Sequence, residues 1–169
     1  MIRILLAALL SVVPLAHQAA SSRTRVSCLT DKPVARWSLP PALREISGLT
    51  ITDGGRLLAH NDEVSRVVEL DRASGKVVKS FRLGRSLMRG DFEAITVVGA
   101  RLFLVTSSGV LYQAREGKDG DAVPFSALQT DAGAICEVEG LSHDPAAGAL
   151  LFLCKTATRT SLKGTVTVL

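Results

Sequence analysis

Three short stretches of similar sequence recur along the chain at a fixed interval. They are residues 45–49 (EISGL), 91–95 (DFEAI) and 137–141 (EVEGL), and their acidic first residues are 46 positions apart. Each stretch has an acid first, a small residue fourth and an aliphatic residue fifth. A fixed period of this size is typical of repeat architectures, in which each repeat is one unit of supersecondary structure.

The sequence that follows each stretch repeats as well. A turn containing Gly or Pro comes next, and then an apolar run, at residues 57–59, 102–105 and 150–153. A third run follows at residues 66–70, 109–112 and 164–168, and the first repeat has a fourth at 76–81. Apolar runs joined by such turns predict antiparallel hairpins. Four antiparallel strands in about 40–50 residues are typical of a β-propeller blade.

The pattern therefore predicts an all-β, propeller-like fold of about three four-stranded antiparallel blades, at about 45–83, 91–127 and 137–169. A meander in a sandwich or barrel is the alternative, but it gives no reason for the 46-residue period. Closed propellers have at least four blades, so three repeats predict an incomplete ring. We expect a truncated chain, with half of an oligomeric ring as the alternative. Open blade edges would favour self-association.

The first 20 residues have the features of a secretory signal peptide. Arg3 is followed by an apolar segment at 4–15 and by small residues at positions 16 and 19–22, which is the order of a charged, an apolar and a cleavage region. Residues 21–36 are predicted to be a flexible leader, and residues 37–169 the partial propeller domain. We predict a periplasmic or secreted protein with no membrane span once the signal is removed.

The three cysteines are consistent with export, because disulfides persist in oxidising compartments. Cys136 precedes the first predicted strand of the third repeat and Cys154 ends the second, so a hairpin would bring them nearly opposite each other. We predict a Cys136–Cys154 disulfide worth about 3 kcal/mol. Cys28 would then be free or paired outside the chain. The alternative is three buried thiols.

Topology predicts a polar rim. Because the first two strands of each repeat are antiparallel, the start of the first and the end of the second lie at the same end of the sheet. The acids predicted to ring the axis are Glu45, Asp91, Glu93, Glu137 and Glu139. The residues predicted to share this rim are His60, Asn61, Asp62 and Lys155. Converging carboxylates suit Ca²⁺; alternatively they accept backbone N–H groups or pair with Lys155 and nearby arginines.

Other classes of function lack support in the sequence. A formal net charge of +4 without interleaved aromatic residues argues against nucleic-acid binding. The sequence contains no G-x-S-x-G elbow, no H-E-x-x-H and no Gly-rich phosphate loop, so no catalytic residue is assigned. The expected partner is a small molecule or another exported protein.

Several segments together resemble one family. They are residues 39–49, 61–63, 69–71, 90–95, 139–145 and 153–155. In their order they are similar to the SdiA-regulated (YjiK-like) family of exported β-propeller proteins, over roughly residues 37–160. The resemblance implies a calcium-associated propeller with no firmly established reaction, in which the five acids above are axial. It also implies a truncated member, because about half of a family member is present.

We rank an exported binding module, calcium-associated at the axial acids and without catalysis, as the first functional hypothesis, because no positioned nucleophile or base is visible. The alternative is a metal-dependent hydrolase, either a lactonase or a phytase-like esterase. In that alternative Glu93 and Glu139 hold the metal, and Asp62 or His60 activates water. Lys155 contacts an oxyanion. The third hypothesis is a structural scaffold or an inactive fragment.

Overall fold

The computed structural model describes residue 33 and residues 35–169. Within this part, Arg36–Leu169 forms one compact unit. The predicted signal peptide, nearly all of the predicted leader and Cys28 lie outside the described residues.

Strands account for nearly all the regular structure of the described part. In chain order they are β1 (Ile46–Ile51), β2 (Leu57–Asn61), β3 (Arg66–Leu70), β4 (Val77–Leu83), β5 (Phe92–Val98), β6 (Arg101–Thr106), β7 (Val110–Arg115), β8 (Ala122–Val123), β9 (Phe125–Gln129), β10 (Cys136–Asp144), β11 (Ala149–Ala157) and β12 (Thr167–Val168). The helical pieces are the α-helix α1 (Ala132–Ile135) and the 3-10 turns Pro41–Leu43 and Thr160–Leu162.

The strands form three sheets, which we call blades 1, 2 and 3. Blade 1 has the order β1-β2-β3-β4-β8, blade 2 the order β5-β6-β7-β9, and blade 3 the order β10-β11-β12. Consecutive neighbours are antiparallel, except that β8 pairs with β4 in parallel. The structure thus confirms an all-β fold built from three mainly antiparallel sheets in series.

The blades are arranged around a common inner edge. The first strands β1 and β5 lie against each other, and β5 lies against β10. Equivalent backbone hydrogen bonds join successive blades: the Phe92 N–H donates to the Asp62 carbonyl at 2.7 Å, and the Val138 N–H to the Ser107 carbonyl at 2.9 Å. This repetition of one contact, with first strands innermost, defines a propeller-like arc of three blades.

Apolar side chains between the blades form the core. Leu58, Val67 and Leu83 of blade 1 pack against Ile95 and Leu104 of blade 2 in one buried cluster. Burying each such side chain stabilises the fold by about 1.5–3 kcal/mol. Interblade packing therefore explains the nearly continuous apolar runs of β2 and β6, because most of their residues are buried on both faces of the sheet.

A second buried cluster lies between blades 2 and 3. It contains Ala94 and Val105 of blade 2 and Val138, Cys136 and Cys154 of blade 3. Cys136 and Cys154 form the predicted disulfide between β10 and β11, with their Cα atoms 5.6 Å apart, and this prediction is confirmed.

The strand numbers differ from the four per blade expected. Blade 2 has four strands and blade 1 gains β8 as a fifth. Blade 3 has three described strands, and its third, predicted at 164–168, is limited to Thr167–Val168. Residues 122–123 lie in sequence between β7 and β9 of blade 2 but pair with β4 of blade 1. This pairing links the outer edges of blades 1 and 2.

An ion-pair network also links blades 1 and 2. The Arg56 guanidinium donates to Glu69 at 2.9 Å and, from its other terminal nitrogen, to Glu116 at 2.7 Å. The Lys79 ammonium lies between the same two carboxylates, hydrogen-bonded to Glu116 and 3.7 Å from Glu69. Arg56, Glu69 and Lys79 belong to blade 1 and Glu116 follows the third strand of blade 2, so the network ties the two sheets together.

Candidate functional site

Each blade has an irregularity at the start of its first strand. The pairing register shifts between Ile46 and Gly48 in blade 1, between Phe92 and Ala94 in blade 2, and across Val138–Gly140 in blade 3. The residues at these bulges are Ser47, Glu93 and Glu139. A β-bulge breaks the alternation of side chains and re-aims the extra residue. The 46-residue period therefore places one re-aimed side chain per blade at the inner rim.

Two of these re-aimed side chains, Ser47 and Glu93, contact each other across the boundary between blades 1 and 2. The Ser47 hydroxyl of blade 1 donates to the Glu93 carboxylate of blade 2 at 3.1 Å. Within blade 2, the Ser107 hydroxyl donates to Asp91. We call the group formed by Ser47, Asp91, Glu93, Glu137, Glu139 and Lys155 the acidic rim.

One cation lies among the acids of the rim. The Lys155 ammonium, at the end of the second strand of blade 3, donates to Glu139 at 2.8 Å and lies 3.7 Å from Glu137. The hydrogen bond to Glu139 raises the pKa of Lys155, and the charges of Glu139 and Glu137 add to the effect. Lys155 therefore stays protonated and partly neutralises the blade 3 acids.

Glu93 is a carboxylate of the rim whose surroundings disfavour its ionised form. Burial raises the pKa of Glu93 above its ordinary value of 4.5, the Ser47 hydrogen bond opposes this shift, and the charges of Glu139 and Asp91 add to it. Because neighbouring like charges disfavour ionisation, Glu93 would gain from a cation placed beside it.

Three other residues predicted for the rim, Glu45, Asn61 and Asp62, are not part of this group of contacting side chains. The exposed Glu45 side chain makes no hydrogen bond or ion pair with described residues, although its carbonyl accepts the Asp62 N–H at 3.1 Å. The Asn61 side-chain oxygen accepts the backbone N–H groups of Glu63 and Val64 at 2.9 and 3.2 Å, which makes it a turn residue. One carboxylate oxygen of Asp62 is buried and has no partner within the described chain.

His60 is inaccessible to a ligand. It is 0% exposed, and its Nδ1 lies 3.0 Å from the Asn61 carbonyl. Burial lowers the pKa of His60, so the imidazole is neutral and packs between β1 and β5. A buried neutral imidazole cannot reach a substrate at the rim, which leaves no support for its predicted role in activating water.

The fit of the rim to calcium is incomplete. Its carboxylate and hydroxyl oxygens are the hard ligands that Ca²⁺ prefers. However, residues 35–169 contain no group of three or more His, Cys, Asp or Glu side chains arranged to hold a metal ion. The reason is visible in the contacts: the Lys155 ammonium stands between Glu137 and Glu139, and hydroxyl groups engage Asp91 and Glu93.

The sequence interpretation missed Ser47 as a member of the rim. Its signal was present, because Ser47 stands at the position that Glu93 and Glu139 occupy in the 46-residue repeat. Aligning the three repeats residue by residue would have placed this hydroxyl beside the acids.

Comparison with known proteins gives little beyond the fold. No protein-family model and no curated protein matches the sequence. Among solved structures, the fold is similar to the PQQ-bound form of aldose sugar dehydrogenase from Streptomyces coelicolor, with a TM-score of 0.41 and 13% sequence identity. The similarity covers 67% of this chain and 38% of that one, so the chain spans well under half the length of this structural relative.

The disulfide bears on the compartment of the protein. The disulfide is typical of a protein that resides in an oxidising, extracytoplasmic environment. In the described part of the chain no helix has the length and apolar character needed to cross a bilayer.

Proposed function

We propose that the chain is a periplasmic or secreted binding module of the propeller class, and that the acidic rim binds a cationic ligand, with Ca²⁺ as the first candidate. One observation carries the proposal: among the described residues, the charges of Asp91 and Glu139 act on Glu93 across the boundary between blades 2 and 3, and the Lys155 ammonium contacts Glu139 and Glu137. Four acids against Lys155 leave three formal negative charges in a partly buried site. Membership of the SdiA-regulated family stays a prediction and would be consistent with this function.

Calcium would have to compete with Lys155. The ammonium group occupies the oxygens of Glu139 and Glu137 that a divalent ion needs. Ca²⁺ tolerates irregular coordination by six to eight oxygens, whereas Mg²⁺ demands near-octahedral geometry. We therefore expect binding of Ca²⁺ over Mg²⁺, and an affinity limited by displacement of the lysine.

This competition yields a sharp test by calorimetry. Wild type, K155M and E93Q would be titrated with Ca²⁺ and with Mg²⁺, and their melting temperatures measured with and without each ion. Removing the ammonium group in K155M should tighten Ca²⁺ binding about 10-fold, which corresponds to about 1.4 kcal/mol. E93Q, which keeps the Ser47 hydrogen bond but loses a charge, should weaken it.

The matched control is E63Q, because Glu63 is an exposed acid whose side chain forms no ion pair with described residues. It should bind Ca²⁺ like wild type. Absence of heat and of any melting shift in both wild type and K155M would overturn the proposal, as would equal effects of E63Q and E93Q.

A hydrolase using the same carboxylates is the second candidate function. The raised pKa of Glu93 favours it, because an acid poised nearer neutrality can transfer protons. Panels of lactone, ester and phosphomonoester substrates, with Ca²⁺ or chelator, separate the two. Turnover that requires Ca²⁺ and is lost in E93Q would favour the hydrolase over the binding module.

A further inference from the structure

A cleft with a volume of about 240 Å³ lies between blades 2 and 3. It lies beside the turns that follow β5 and β10, at the ends of these strands opposite the acidic rim. Its polar side chains are those of Arg101, Gln113 and His143, and no acid of the described chain lines it. Phe103 and Leu150 are among its apolar residues. We call the space bounded by these five residues the arginine cleft.

The strand register makes the two walls of the arginine cleft face each other. On blade 2, Arg101 and Phe103 lie two residues apart on β6 and share the face that carries Val105 into the core between blades 2 and 3. On blade 3, His143 of β10 is the cross-strand partner of Leu150 of β11, and both line the same cleft. A ligand between the blades would therefore contact both walls.

Arg101 presents hydrogen-bond donors that the described chain does not use. Its guanidinium carbon lies 5.6 Å from the centre of the Phe103 ring, and the side chain forms no hydrogen bond or ion pair with a described residue. Phe103 itself is buried, at 5% exposed. A guanidinium held over an aromatic ring keeps its planar fork of N–H donors free to bind a carboxylate.

A second arginine lies directly opposite the first. Arg101 pairs in register with Arg115 of β7, and both side chains are exposed. Like charges directly opposite each other on neighbouring strands are destabilising. Arg101 and Gln113 also line an adjoining hollow together with Arg115, so the positive surface extends beyond the cleft. A bound anion would therefore relieve the repulsion between the two guanidinium groups.

We propose that the arginine cleft binds a small organic carboxylate. The guanidinium of Arg101 binds the carboxylate group, and Gln113 and His143 supply further N–H donors. Phe103 and Leu150 contact the apolar body of the ligand. The ligand is small, because the cleft is below the roughly 300–1,000 Å³ of pockets that take drug-sized molecules. This site is independent of cation binding at the acidic rim, because it contains no residue of the rim.

An NMR titration of the full chain with benzoate tests the proposal, and benzamide serves as the uncharged ligand of the same shape. Benzoate should shift the side-chain amide resonances of Gln113 in a saturable way, and benzamide should not. R101M should weaken benzoate binding about 10-fold or more, which is the loss expected for one hydrogen bond between charged groups. R101M should fold normally, because position 101 is exposed and methionine also packs well against an aromatic ring.

The matched control is R44M, because Arg44 is an exposed arginine that lies before β1 and forms no ion pair with described residues. It should bind benzoate like wild type. The proposal would be overturned by a wild type without saturable shifts, by benzamide that binds as tightly as benzoate, or by equal losses in R101M and R44M. Inorganic phosphate that binds more tightly than benzoate would overturn the assignment of an organic carboxylate.

Discussion

The imidazole of His60 lies directly over the backbone of Gly48, so closely that a Cβ at position 48 would overlap its Nε2 and approach its Cδ2 to 2.9 Å. Gly48 pairs with His60 across β1 and β2, and the backbone nitrogen of Ile95 in blade 2 lies 3.2 Å from the same point. The small residue of the repeated motif is therefore needed because the first strands of adjacent blades meet there.

We expect Gly48→Ala to destabilise the fold. The added methyl group must displace a fully buried side chain or push β1 from β5, and overpacking of this kind costs about 1–3 kcal/mol. Urea denaturation measures the change. Gly54→Ala is the control, because the nearest heavy atom to its new Cβ is 3.8 Å away, and it should change stability by less than about 0.5 kcal/mol. Equal stability of G48A and wild type would contradict the packing argument.

The sequence predicted the blades well because their signal is periodic. The recurrence of an acid, a small residue and an aliphatic residue marks the innermost strand three times, and the structure places these strands side by side. The disulfide was predictable because a hairpin between the two apolar runs brings Cys136 and Cys154 near each other. The cysteines are not direct partners in the strand register, since Cys136 pairs with Ala157 and Cys154 with Val138, and the register shifts in β10 lie between them.

Other features carry no local signal. Arg56, Glu69, Lys79 and Glu116 lie on four different segments, and only the packing of blade 1 on blade 2 brings them together. The pairing of β8 with β4 involves two residues, too few for periodicity to predict. The acids of the rim could be predicted from the repeat. The hydrogen bond between Lys155 and Glu139 could not, because it depends on the orientation of side chains at the bulge of β10.

Removal of the disulfide should weaken the third blade. The bond closes a loop between residues 18 positions apart, and the C136A/C154A double variant should lose about 3 kcal/mol of stability. Both sulfurs are buried, so alanine also leaves a small cavity. Denaturation with and without reductant gives the check: reductant should lower the midpoint of wild type to near that of the double variant. An equal effect of reductant on both proteins would contradict it.

The ion-pair network around Glu116 should make the stability of the fold depend on pH. The Arg56 and Lys79 groups lower the pKa of Glu116 from 4.5 to about 2. A carboxyl group with a depressed pKa in the folded state stabilises the fold above pH 4.5, and this contribution is lost as the pH falls towards 2. E116Q should therefore cost about 1–3 kcal/mol at pH 7, and the difference from wild type should shrink between pH 5 and 2. A difference that stays constant with pH would refute the assignment.

Glu93 should show the opposite pH dependence. Its pKa is raised by burial and by the charges of Glu139 and Asp91, so ionisation disfavours the folded state, and stability is lost as the pH rises above 4.5. E93Q removes this charge and can still accept the Ser47 hydrogen bond. We expect E93Q to be more stable than wild type at pH 8 by up to about 1 kcal/mol, because solvent screens a partly exposed group, and equally stable at pH 4. Melting temperatures measured across this range in chelator test the prediction.

E63Q, which changes an exposed acid, serves as the control and should show no such gain. An E93Q variant that is less stable than wild type at pH 8 would contradict the prediction and show that the rim carboxylates are held by attractive contacts.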